Sequence, residues 1–335
     1  MARIGVLGGG TWGIALSVLL CQNGHEVTVW SAVEKEIQML RETHAHKMLP
    51  GVTIPEEVTF TMDDAEAVRG KSILVMAVAS SYTRKVADSI SSLVAKNQII
   101  VNVAKGIEES SMMTLTQVIE EEIPQADVAV LSGPSHAEEV GRGLPTSVVV
   151  GAKSRETAEY IQNVFMSPVF RVYTSPDVLG IELGSSLKNV VALAAGIADG
   201  LGYGDNAKAA LITRGITEIS RLGTAMGGRA ETFSGLTGIG DLIGTCASMH
   251  SRNRRAGILI GQGKSYKEAM DEVQQVVEGV YSAKAAMKLA KKYGVSLPII
   301  EQVNKVLFEG KNPAEAVKEL MLRDKKSEVS VASWT

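Results

Sequence analysis

The chain has 335 residues and 35.6 kDa, above the usual size of one domain, so two domains are expected. Hydrophobic residues at 45% and charged residues at 21% exclude a disordered chain, and 33 glycines without a period of three exclude a collagen. A net charge of −3 and a pI near 6.0 leave no broad basic footprint for nucleic acid.

In chain order, the first half alternates short β-branched runs with helical stretches. Residues 4–7, 27–30, 73–78, 99–103, 128–131 and 148–150 read as strands, nearly continuous in apolar residues as strands covered on both faces are. Helices are predicted near 12–22, 34–43, 63–68, 82–94 and 111–122. Thr61, Met62, Asp63 and Asp64 read as a capping-box variant at the start of the third. This alternation predicts a doubly wound parallel sheet with crossover helices.

After Thr174 strand-like runs almost vanish. Helical stretches follow at 181–222, 242–262, 267–274, 281–293 and 298–308, so an all-helical second domain is predicted. The expected division is 1–180 for the α/β domain and 181–335 for the helical one. No Ser/Gly linker marks the boundary, which predicts tight packing between them. Arg323 to Thr335 are expected to fray. No apolar run reads as long enough to cross a bilayer, and the N-terminal run is too short and glycine-broken for a secretory signal. Cys21 and Cys246 lie far apart and form no Cys-x-x-Cys pair, so two buried cytosolic thiols are expected. The five histidines show no zinc spacing, and no metal site is expected.

Gly8-Gly9-Gly10-Thr11-Trp12-Gly13 fits G-x-G-x-x-G, follows a predicted strand and opens a predicted helix. In that context Gly8 permits the tight turn, Gly10 lets backbone approach a pyrophosphate, and Gly13 lets helix and strand pack closely. The amides of Thr11 and Trp12 would face the anion. This is a Rossmann-type dinucleotide signature. At the end of the second strand, where NAD sites carry an acid and NADP sites often an arginine, stands Ser31. Its hydroxyl suits either a ribose hydroxyl or a phosphate, and Lys35 could supply charge, while Glu34 reads equally as a helix-start residue favoured by the macrodipole. NAD or NADP is therefore left open.

Hydride transfer to a carbonyl needs a proton donor, a charge stabiliser and a substrate anchor. Lys105 follows a strand and precedes Gly106, at the carboxyl end of the predicted sheet, where ligands of open α/β sheets bind. Lys188 shares a helical face with Ala192, Ala195, Gly196 and Asp199, small enough for something to approach beside it. Ser251-Arg252-Asn253-Arg254-Arg255 offers guanidinium forks suited to a phosphate or carboxylate. Asp241, after the glycine-rich stretch 235–240, either caps the following helix or binds a substrate hydroxyl. Ser132-Gly133-Pro134-Ser135 is a further strand-end loop with free amides and a hydroxyl.

These motifs together resemble the bacterial NAD(P)-dependent glycerol-3-phosphate dehydrogenases, from the glycine loop to about Phe308. The most specific segments are 187–208, continuing through Thr213-Arg214-Gly215, then Gly238-Ile239-Gly240-Asp241-Leu242, Ser251-Arg252-Asn253-Arg254 and Val277-Glu278-Gly279. The resemblance implies a Rossmann domain followed by a helical substrate domain. It implies Lys188 as the proton donor and acceptor, and Lys105 beside both cofactor and substrate. Gly133, Ser135, Asp241, Ser251, Arg252 and Asn253 match substrate contacts. Ala137, Val276 and Glu278 match cofactor contacts, with Arg252 near the cofactor as well, beside the Gly10, Thr11, Trp12 and Ser31 positions read from the dinucleotide signature.

The implied reaction is reversible hydride transfer between NAD(P)H and dihydroxyacetone phosphate in the cytoplasm, giving sn-glycerol 3-phosphate for glycerophospholipid synthesis. A homodimer is the base-rate expectation. Departures from the family pattern are Gly-Gly-Gly-Thr for Gly-Ala-Gly-Ser in the loop, Ser31-Ala32-Val33 for basic residues, Met48 for tyrosine, Ala79 for proline and His136 for phenylalanine. Two rival readings are a 3-hydroxyacid or 6-phosphogluconate type dehydrogenase, which would prefer a carboxylate substrate, and a non-catalytic dinucleotide sensor, which would need no lysine pair.

Overall fold

A computed structural model describes residues 1–325, 327 and 328. Its N-terminal part is one eight-stranded sheet: β1 (Arg3–Leu7), β2 (Glu26–Trp30), β3 (Thr59–Thr61), β4 (Ile73–Met76), β5 (Ile99–Asn102), β6 (Asp127–Ser132), β7 (Thr146–Gly151) and β8 (Phe170–Ser175). The order is β3-β2-β1-β4-β5-β6-β7-β8. From β3 to β6 every pairing is parallel, with apolar clusters on both faces as the continuous apolar runs require.

One pairing departs from the all-parallel expectation. β7 runs antiparallel to β6, and β8 then pairs parallel to β7. The connection from Ser132 to Thr146 contains only the short helix Ala137–Val140. It turns back at the edge where β6 ends, so the chain does not recross the sheet before β7 begins.

Two strands escaped the sequence reading. β3 has three residues, one of them apolar, and β8 alternates buried and exposed positions, as a strand with one open face does. The crossover helix Arg155–Phe165 between β7 and β8 was also unforeseen; Ser154 caps it by accepting from Thr157 N at 3.0 Å. The capping-box assignment at Thr61 is corrected. Asp63 caps the helix Asp64–Val68, accepting from Ala65 N at 2.8 Å, while the Thr61 hydroxyl donates to Glu66.

The sheet ends at Ser175, and Asp177 caps the helix Val178–Gly200. That helix is the axis of the second part. The helices Asp205–Ala225, Asp241–Ala247, Arg252–Gly261 and Glu278–Tyr293 all pack on it. The predicted stretch 181–222 is thus two helices, broken at Leu201–Gly204, where Gly202 has φ +79°. The stretch 242–262 likewise divides between Ala247 and Arg252. Tyr266–Val273 and Pro298–Phe308 form as expected, and Pro313–Met321 adds a last helix.

By length and composition Val178–Gly200 could cross a bilayer, contrary to the expectation that no run is long enough. Its most apolar window is 89% buried inside the protein, so it is a core helix and not a membrane span. Most of the tail expected to fray, 326 and 329–335, lies outside the described residues.

Candidate active site

A cleft of about 330 Å³ opens at the carboxyl ends of β1, β4 and β5, where strand order reverses, and the helical part forms its other wall. Gly8 takes φ +130°, and a Cβ there would lie 2.8 Å from the Ala77 carbonyl. A Cβ on Gly13 would sit 2.0 Å from Gly8 O, so the turn and the helix close only with glycine at both places. Gly10 begins the helix Thr11–Gln22 with no side-chain cap and no acid in the first turn. Gly10, Thr11 and Trp12 all line the cleft. An uncapped helix N-terminus facing a cleft at a strand-order switch fits a dinucleotide pyrophosphate.

Opposite this loop, Asp241 lies between two lysines. Its Oδ1 is 2.7 Å from Lys188 Nζ and its Oδ2 is 2.7 Å from Lys105 Nζ. Asp241 is the first residue of the helix Asp241–Ala247, and Thr245, one turn on, reaches the same cluster. The Thr245 hydroxyl accepts from Lys188 and donates to Asp241 O at 2.6 Å. Lys105 also donates to Gly133 O at 2.8 Å. The capping role considered for Asp241 is therefore replaced by a charge role: its carboxylate fixes both ammonium groups.

Burial pushes the Lys188 ammonium down to about 8, with Lys105 adding to the shift and Asp241 opposing it. Burial by itself would raise the Asp241 carboxyl, but Lys105 and Lys188 hold it below the usual range. The two lysines come from different parts of the fold, and one buried acid couples their backbones. Glu182, on the Lys188 helix, accepts from Asn102 Nδ2 at 3.1 Å and Thr116 N at 2.9 Å. Asn102 ends β5 and its Oδ1 accepts from Ala104 N, which directly precedes Lys105.

The small face beside Lys188 receives the helix Arg252–Gly261. A Cβ on Gly196 would lie 2.1 Å from Arg254 O, and one on Gly257 2.2 Å from Leu193 O. That close crossing brings Ser251, Arg252 and Asn253 into the cleft wall. The three arginines separate: Arg254 donates to Asp199 at 2.8 Å and Arg255 to Gln275 at 3.0 Å. Arg252 alone faces the cleft, with Val276 O 3.5 Å from its Nη1. Asn253 donates to Asn189 Oδ1 at 3.0 Å and accepts from Gly279 N at 2.8 Å, which leaves one amide hydrogen uncommitted. Ser251 caps the helix by accepting from Arg254 N at 3.2 Å.

Two family models match this chain. "NAD-dependent glycerol-3-phosphate dehydrogenase N-terminus" covers residues 3–158 and "NAD-dependent glycerol-3-phosphate dehydrogenase C-terminus" covers 177–318. Glycerol-3-phosphate dehydrogenase [NAD(P)+] of Agathobacter rectalis is 63% identical over the whole of both chains. The enzyme of that name from Fusobacterium nucleatum is 61% identical, again over all of both. The chain belongs to the NAD-dependent glycerol-3-phosphate dehydrogenase family. The crystal structure of glycerol-3-phosphate dehydrogenase from Coxiella burnetii, 36% identical, superposes with a TM-score of 0.93 over 96% of this chain and 99% of that one.

Within this family frame, the site positions expected from sequence divide by location. Ser135, Ala137, Val276 and Glu278 line the cleft with the loop, lysine and Arg252 groups already placed. Gly133 and Asp241 stand behind it, holding the lysines. Ser31 is buried and does not line it. Glu278 spans the two parts of the fold, its carboxylate accepting from Ser80 N at 3.1 Å and from the Ser80 hydroxyl. Of the departures from the family pattern, Ala79 lines the cleft, and the rings of His136 and His250 stand there 5.9 Å apart. Burial and the two lysines push the His136 imidazole below its ordinary value.

Three groups were missed. Thr245 was legible as the residue one turn after Asp241. Asn189 adjoins Lys188 but carries no pattern of its own. Glu36 reaches Ser31 from the next helix, with no signal in its spacing.

Proposed function

We propose that this cleft interconverts dihydroxyacetone phosphate and sn-glycerol 3-phosphate with NAD(P)H, and that Lys188 carries the proton. The observation that supports it is the single carboxylate of Asp241 between Lys188 and Lys105, 2.7 Å from each. In reduction Lys188 Nζ protonates the oxygen that develops negative charge, and in oxidation the neutral amine takes that proton back. An amine brought near 8 is available in both forms around neutrality, as a reversible acid and base must be. Lys105, tethered to Asp241 and Gly133 O, adds positive potential at the same oxygen. A bound nicotinamide supplies or accepts the hydride.

The substrate phosphate lies at the start of the helix Arg252–Gly261. There the Ser251 hydroxyl hydrogen, the Arg252 guanidinium hydrogens other than the one on Nη1 that faces Val276 O, and the remaining Asn253 amide hydrogen are uncommitted donors on a positive helix end. Cytoplasmic chemistry fits two cysteines that are both free thiols. Glycerophospholipid synthesis is the use we propose for the product.

The test follows reduced-nicotinamide absorbance of the purified protein with dihydroxyacetone phosphate and a panel of 3-hydroxy and sugar carboxylates. Oxidation dependent on the phosphorylated ketone is expected. Turnover of the carboxylates alone would overturn the reading.

A further inference from the structure

Glu36 is an acid that the chemistry above does not use. It sits in the first turn of the helix Glu34–Thr43, directly after β2. Its Oε2 accepts from the Ser31 hydroxyl at 2.5 Å, and a Cβ added to Gly9 would lie 2.8 Å from that same oxygen. The carboxylate therefore spans the carboxyl end of β2 and lies over the middle glycine of the Gly8-Gly9-Gly10 turn. Ser31 is committed on both sides, since its oxygen also accepts from Val33 N at 3.2 Å. Among the described residues Oε1 of Glu36 has no hydrogen-bond partner, and neither oxygen forms an ion pair. The nearest arginine on its own helix, Arg41, is turned away and donates to Phe60 O at 3.1 and 2.6 Å.

In sheets of this kind, the acid at the end of the second strand accepts from the adenosine ribose 2′-hydroxyl, and an arginine there accommodates a 2′-phosphate. Sequence spacing puts Ser31 at that place. The fold puts a carboxylate there as well, borrowed from the following helix and oriented by Ser31. A fixed negative charge with a free acceptor oxygen favours a hydroxyl and repels a phosphate dianion.

We propose that Glu36, positioned by Ser31, makes this protein select NADH over NADPH. The inference rests on the dinucleotide reading of the glycine loop. Fluorescence titration of the substrate-free protein with NADH and with NADPH gives the two dissociation constants, and thermal-shift measurements check them. For the wild type, NADH is expected to bind at least about tenfold tighter, the size of one like-charge contact at a partly exposed site. Glu36→Gln keeps the shape and one acceptor but removes the charge, and is expected to tighten NADPH about fivefold or more while changing NADH less than threefold. Ser31→Ala frees the carboxylate to swing and should narrow the ratio from the NADH side. Glu34→Gln removes an exposed charge from the same turn and should leave the ratio unchanged. A wild-type preference for NADPH, a ratio unmoved in Glu36→Gln, or an equal effect of Glu34→Gln overturns the selection role and leaves the dinucleotide site standing. Binding of neither dinucleotide by the wild type overturns both.

Discussion

Gly196 and Gly257 meet backbone to backbone. A Cβ on Gly257 would lie 2.9 Å from the Gly196 Cα and 2.2 Å from Leu193 O. This contact sets how near the Arg252–Gly261 helix comes to Lys188, so the proposed substrate anchor and proposed proton carrier are spaced by core packing. Gly257→Ala must push the helices apart. A loss of about 1–3 kcal/mol in urea unfolding is expected from overpacking. A fall of at least about tenfold in kcat/KM for dihydroxyacetone phosphate should accompany it, because sub-ångström displacements at a reacting centre are costly. Unchanged kinetics in a destabilised variant would separate the crossing from the chemistry.

Lys188→Ala is expected to lower kcat by about 10²-fold or more, the usual scale for an acid–base group, with NADH affinity retained. The wild-type pH profile carries the same information with a definite sign. Reduction needs the ammonium, so its kcat should be level at low pH and fall above about 8. Oxidation needs the neutral amine, so its kcat should rise toward a plateau above about 8. Both follow from steady-state rates in the two directions. Profiles that bend the same way would remove Lys188 from the proton step.

Arg252→Ala tests the phosphate anchor. Removal of one charge-assisted contact should cost dihydroxyacetone phosphate roughly 2–5 kcal/mol in kcat/KM. Dihydroxyacetone has no phosphate to lose, so its slow turnover should change far less. Equal losses for both substrates, at unchanged NADH affinity measured by titration, would contradict the assignment.

Glu218 yields a stability prediction away from the cleft. It lies on the helix Asp205–Ala225, buried against the start of the helix Pro298–Phe308, and accepts from Ile299 N at 2.8 Å and Ile300 N at 3.3 Å. Burial pushes its carboxyl up to about 7, although both hydrogen bonds pull it down. A folded value above the unfolded one means that the folded state binds the extra proton. The group's stabilisation is complete below about pH 4.3 and is lost as pH rises to about 7, roughly 3 kcal/mol in all. Between pH 5 and 8 the wild type should lose about 2–3 kcal/mol more in urea unfolding than Glu218→Gln. Parallel curves would show that the carboxyl titrates normally.

The sequence by itself determined the fold class, the glycine loop, the lysine pair and the Ser251–Arg255 run. Each of these is written in local pattern: a 2- or 3.6-residue period, a fixed glycine spacing, or a charged residue in an apolar helix. It also carried the small face beside Lys188, without saying what fills it. Only the tertiary structure decided that a helix fills it, that Arg254 and Arg255 turn to Asp199 and Gln275 while Arg252 alone stays in the cleft, and that Asp241 binds two lysines rather than capping a helix. The reversal of β7 and the edge strand β8 were equally out of reach, since their pairing depends on where a loop turns and not on the residues within the strand. Glu36 shows the physical limit most clearly. It lies five positions after Ser31, and only the turn between β2 and the next helix brings its carboxylate to 2.5 Å from that hydroxyl.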